Sequence, residues 1–128
     1  GNLTISATNT GGNASYNLKA NGSSINTATT TSYTFNHTNI TTNTSYELEI
    51  TLGATTITRR FSAIVSPTVI SQAIPFGLEN GINYNTSDNT KATLVLDAPG
   101  KDFVYVAGSF NNWNPDDNYS MKKDPSNG

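Results

Sequence analysis

The sequence predicts an all-β chain, and three features carry that expectation. Residues 3–65 alternate apolar and polar side chains with a period of two, the spacing of strands that bury one face. Thr, Asn and Ser crowd the first half, where Lys, Glu and Leu are sparse. Thr is β-branched, and Asn and Ser compete for backbone hydrogen bonds, so helix is disfavoured there. Turn signals interrupt the alternation at intervals of about 8–12 residues, the rhythm of a β-sandwich.

The strands follow in order. Leu3, Ile5 and Ala7 share a face until Gly11-Gly12 ends the run. Tyr16, Leu18 and Ala20 form the next, closed by Asn21-Gly22, the strongest short signal for a type I′ hairpin. Ser23–Ile25 reads as a short return strand, and Tyr33 and Phe35 begin another. Tyr46, Leu48 and Ile50 face inward, which turns Glu47 and Glu49 outward. Gly53-Ala54 reverses the chain into Ile57, Phe61, Ala63 and Val65. The run Ile40-Thr41-Thr42-Asn43-Thr44-Ser45-Tyr46 resembles the fibronectin type III corner, in which the Tyr hydroxyl bonds to nearby backbone. Thr42 stands where that pattern has Pro, no Trp lies near the N-terminus, and the first strand of the pattern is not found.

Residues 67–88 carry Pro67, Pro75, Gly77 and Asn80-Gly81 with no sustained period, and read as an ordered linker. Ile70, Ile74, Phe76 and Leu78 give it apolar surface to pack. Alternation resumes at Ala92–Asp97, and Ala98-Pro99-Gly100-Lys101 has Pro and Gly in the order of a type II turn. Phe103–Gly108 then reads as the second strand of a hairpin, beyond which Ser109–Asn114 is an Asn-rich loop presenting Trp113. The expected division is therefore 1–66 as a first sandwich, 67–88 as linker, and 89–128 as the opening of a second domain.

Composition excludes several functions. Seven Lys and Arg, scattered through a chain of net charge −2, form no basic stripe for nucleic acid. No Cys is present, so there is no thiolate nucleophile, disulfide framework or Cys-based zinc site, and no cofactor is expected. No apolar run approaches the roughly 20 residues that span a bilayer. Gly1–Ile5 reads as the middle of a strand rather than a leader peptide, as in a piece of a longer protein. Asn-x-Ser/Thr triplets begin at Asn2, Asn13, Asn21, Asn36, Asn39, Asn43, Asn85 and Asn118, and read either as glycosylation acceptors or as a product of the Asn/Thr-rich composition. His37 has no partner at metal-ligand spacing and reads as surface. Lys122-Lys123 and Asp116-Asp117 read as solvated turns, and Arg59-Arg60 as an edge-strand device. Glu47 and Glu49 share a face, but an open Thr-rich sheet has no cleft to raise one carboxyl, as glycosidic acid catalysis requires. The chain is expected not to be an enzyme.

Ala98-Pro99 followed by Val104-x-Val106-x-Gly108-x-Phe110-Asn111-x-Trp113 resembles the opening of carbohydrate-binding module family 48. The same stretch is similar to the glycogen-binding domain of the AMP-activated kinase β subunit. Lys101 and Ser109 depart from the family's common Ala and Asp, and the likeness covers residues 82–128 alone. With the corner-like run of Ile40–Tyr46, the expected fold is an immunoglobulin/fibronectin-III-like sandwich, followed, as this likeness implies, by the first strands of an early-set β-sandwich. The likeness also implies an N-terminal accessory region of a secreted bacterial enzyme of glycoside hydrolase family 13, extracellular or at the cell surface. Its partners would be an α-glucan (starch or glycogen) and the downstream catalytic barrel. Trp113, whose indole can stack on sugar C–H faces, and Asn112, whose amide can meet ring hydroxyls, are the implied sugar contacts. The competing role for Phe110 and Trp113 is to pack the domain on its barrel, and the competing function for the region is a structural spacer or cell-surface adhesion module.

Overall fold

Alternation in the first half resolves into six strands: β1 (Leu3–Thr8), β2 (Ala14–Ala20), β3 (Ser23–Thr30), β4 (Ser32–His37), β5 (Thr44–Leu52) and β6 (Thr55–Ala63). The structure is a computed structural model that describes residues 1–126, and the chain divides into two units, Gly1–Val65 and Ser66–Gly128. In the first unit β1 pairs with β4, and the other four form an antiparallel sheet in the order β3-β2-β5-β6. The inward residues Ile5, Ala14, Tyr16, Leu18, Tyr33, Ile40, Tyr46 and Leu48 make one buried core between the sheets. Tyr16 and Tyr33 stack across it with ring centroids 4.9 Å apart.

The turns have the chemistry their residues suggest. Asn21 and Gly22 both take positive φ, 48° and 83°, as a type I′ turn requires. Asn21 also ties this turn to β5, its backbone N–H donating to the Ser45 carbonyl at 2.8 Å and its Oδ1 accepting the Ser45 N–H at 3.0 Å. β3 is longer than the short return strand expected and runs on to Thr30. A bulge opposite Leu18/Lys19 interrupts its register, and Ile25 packs against the core. β6 is the other edge of that sheet. Its Arg59 lies opposite buried Leu48 yet stays exposed, and Arg60 pairs with Glu47 at 2.6 Å.

The corner is closed by a side chain. Tyr46 is 2% exposed and its hydroxyl meets Nδ1 of His37 at 2.6 Å, where the resemblance implied a backbone partner. Burial raises the Tyr46 pKa, so the hydroxyl keeps its proton. His37 is thus a half-buried corner residue, edge-on to Tyr46 at 5.7 Å, and not the free surface residue its isolation in the sequence suggested. Tyr46 stacks in turn on Phe61 at 5.2 Å.

The second unit pairs its strands differently from expectation. β7 (Gly81–Tyr84) lies within residues 67–88 and pairs with β8 (Ala92–Val95). Residues 85–91 close this hairpin through side chains: Asn85 Oδ1 accepts from Ser87 and Asp88, and Asp88 accepts from Thr90. The Pro99-Gly100 turn forms, with Gly100 at φ 71° and Lys101 N–H on the Ala98 carbonyl at 3.3 Å. It does not join a hairpin, because a type II turn splays the strands that flank it. Residues 103–108 instead meet the later chain: Tyr105 bridges Ser120, and Met121 N–H donates to the Val104 carbonyl at 2.8 Å.

Candidate functional site

The loop after residue 107 is built on Gly108. Ser109–Asn111 make one turn of 3-10 helix, and the N–H groups of Asn111 and Trp113 both donate to the Gly108 carbonyl, at 3.2 and 2.8 Å. Asn111 is the internal strut: its Oδ1 accepts the Gly108 N–H at 2.9 Å, and its Nδ2 donates to the Val106 carbonyl at 3.0 Å. Both ends of that amide are engaged within the loop.

The next two residues are held in an unfavourable backbone region. Asn112 has φ 53° and Trp113 φ 60°, and Asn tolerates this while Trp does not. A left-handed residue with a Cβ costs roughly 1–2 kcal/mol. The consequence is that the indole projects outward, 73% exposed, with neither a ring partner nor a hydrogen-bond partner among the described residues. The Asn112 amide is also exposed and unpaired among the described residues. A flat apolar plate and a free amide, side by side on a braced loop, offer stacking and two-way hydrogen bonding to one ligand.

Phe110, within this loop, meets one residue that the sequence reading did not select, Tyr119. The Phe110 ring lies over Gly108 and meets the Tyr119 ring at 4.9 Å. Tyr119 sits in a second 3-10 turn, Asp117–Tyr119, capped by Asp116 Oδ1 on the Asn118 N–H at 2.8 Å. No local motif marks Tyr119; its place follows from a nonlocal backbone bond, Val106 N–H to the Tyr119 carbonyl at 2.9 Å.

The remaining polar candidates are engaged elsewhere. Asp117 Oδ1 accepts the Tyr105 hydroxyl at 2.7 Å. Lys122 Nζ donates to Gln72 Oε1 at 2.5 Å and Lys123 Nζ to the Lys101 carbonyl at 3.5 Å. Glu47 and Glu49 share Lys19, at 3.3 and 2.6 Å. The hydrogen bond from Lys19, then that from Asn17, holds the Glu49 carboxyl below its ordinary value, the reverse of what a general acid needs. Glu49 in turn raises Lys19. No three His, Asp or Glu side chains gather as a metal site among the described residues. A hollow of about 1020 Å³ opens in the second unit, walled largely by apolar residues such as Ile74, Leu94, Leu96 and Met121.

The fold and this loop define an all-β chain with a β-sandwich and a braced, solvent-facing aromatic. No helix among the described residues is long and apolar enough to cross a membrane. No protein-family model, curated protein or solved structure matches the chain.

Proposed function

We propose that this chain is a non-catalytic accessory region of an exported enzyme acting on α-glucans, and that the Trp113 loop holds an α-1,4-linked chain. One observation carries the reading: Trp113 is 73% exposed on a backbone at φ 60° that the loop's hydrogen bonds hold. Stability alone would favour tucking an indole inward, and strain that the surrounding bonds maintain is a common mark of a ligand contact. The Gly108 and Asn111 bonds prepay the ordering of the loop, which is where a weak sugar site gains most. The resemblance of Gly108–Trp113 to the glucan-binding module supplies the sugar class. In the parent protein the same region would also position the catalytic barrel.

Affinity electrophoresis in gels containing starch tests this. The intact chain is expected to be retarded, Trp113→Ala to migrate freely while keeping its circular dichroism, and Asn112→Ala to fall between. An unretarded intact chain, with Trp113→Ala losing stability, would instead assign the region to a spacer role.

A further inference from the structure

Three Asn-Gly steps occur in the chain, and two of them, Asn21-Gly22 and Asn80-Gly81, lie among the described residues. At such a step a chain can modify itself, because glycine has no side chain to shield its N–H from the neighbouring amide. The Gly nitrogen attacks Cγ of the Asn, and the displaced amide nitrogen leaves as ammonia, taking up the N–H proton. Water then opens the resulting succinimide ring at one carbonyl to give aspartate, or at the other to give isoaspartate. The Asn side chain must be free to turn, and the Gly N–H must be free of a lasting partner.

The two steps differ on both counts. Asn21 sits in the β2–β3 turn with its N–H and its Oδ1 both bonded to Ser45, at 2.8 and 3.0 Å. Turning its Cγ toward Gly22 would break the second bond and with it a tie to β5, the strand paired on both sides. Asn80 is exposed, and its amide has no hydrogen-bond partner among the described residues. Asn83 clasps the chain around it: Oδ1 accepts the Glu79 N–H at 3.0 Å, and Nδ2 donates to the Glu79 and Gly81 carbonyls at 2.7 and 3.3 Å. None of these bonds uses the Asn80 amide or the Gly81 N–H. Gly81 stands opposite Val95 in the end pair of β7–β8, and the end of a two-stranded sheet opens readily.

We propose that Asn80-Gly81 is a self-modification site that converts to aspartate and isoaspartate, while the fold protects Asn21-Gly22 in the same chain. Isoaspartate inserts a methylene into the main chain beside β7 and places a carboxylate next to Glu79. The Asn83 clasp then loses its spacing, and conversion acts as a slow, one-way release of the β7–β8 hairpin.

Ageing the full chain at mildly alkaline pH, folded or in urea, tests this. Trypsin cuts after Lys19, Arg59, Arg60 and Lys91, which puts Asn21 and Asn80 on separate peptides. Peptide mass and labelling by isoaspartyl methyltransferase then score each site. In the folded chain Asn80 is expected to convert roughly tenfold or more faster than Asn21, the difference between a fraying end and a braced turn. In urea the two rates should converge. Hydrogen exchange across residues 81–84 and 92–95 should speed up in the aged chain and stay constant in aged Asn80→Ser, whose peptide takes no label. Equal conversion of Asn21 and Asn80 in the folded chain, or an Asn80 that converts only in urea, would overturn the site. Unchanged exchange of β7–β8 in a chain carrying isoaspartate at position 80 would overturn the release.

Discussion

Removing one oxygen from Tyr46 and one from Tyr16 should move stability in opposite directions. Both rings belong to the same core, Tyr46 at 2% and Tyr16 at 0% exposure, so the two substitutions to Phe leave the packing in place. Tyr46 keeps its stack on Phe61 but loses the bond to His37 Nδ1. The net worth of such a bond is roughly 0.5–1.5 kcal/mol, and half-buried His37 can turn its nitrogen to water, so Tyr46→Phe should cost about 1 kcal/mol. The Tyr16 hydroxyl is buried with no partner among the described residues. An unsatisfied buried hydroxyl carries a penalty of about 1–3 kcal/mol, so Tyr16→Phe should be neutral or stabilise by up to about that amount. Urea unfolding followed by far-ultraviolet circular dichroism measures both, with Trp113 emission reporting the second unit separately. A Tyr16→Phe variant that loses as much stability as Tyr46→Phe would refute the assignment of paired and orphan hydroxyls.

Three further outcomes follow from the same geometry. Gly22→Ala puts a Cβ on a residue at φ 83° and should cost roughly 1–2 kcal/mol in the same unfolding assay. Glu49 is held below its ordinary pKa of 4.5, so its contribution is present above the unfolded value and lost as pH falls through the folded one. Unfolding midpoints from neutral pH down through the carboxylate range should therefore decline less steeply in Glu49→Gln. In hydrogen exchange, β5, paired on both sides, should hold its amides longest, while the two-stranded β7–β8 hairpin, with Ile82 62% and Tyr84 79% exposed, should exchange first.

Much of the first unit was legible because its physics is local. Inward alternation at Tyr16, Leu18, Tyr46 and Leu48, and the turn residues Asn21-Gly22 and Gly53, specify strands and their faces without long-range knowledge. The far half of β3 was not legible, since Asn26–Thr30 has no apolar period and is held by pairing to β2. The Tyr46 partner was missed for a similar reason: His37 reaches it only once β4 and β5 pack. In the second unit, Gly81-Ile82-Asn83-Tyr84 is too short and too Gly- and Asn-rich to read as a strand, and the side-chain bonds of residues 85–91 are what close it onto β8. Trp113 stood out in the sequence as the one Trp in an Asn-rich loop, whereas its strained φ and the role of Asn111 as a strut exist only in three dimensions.

Because the chain has a single Trp, its emission reports directly on the proposed contact. Titration with maltoheptaose across the roughly millimolar range should give a saturable shift in that emission, corresponding to a binding free energy of about −4 to −6 kcal/mol. Emission that stays unchanged throughout that range, in a chain whose circular dichroism shows it folded, would contradict the assignment of the Trp113 loop to α-glucan.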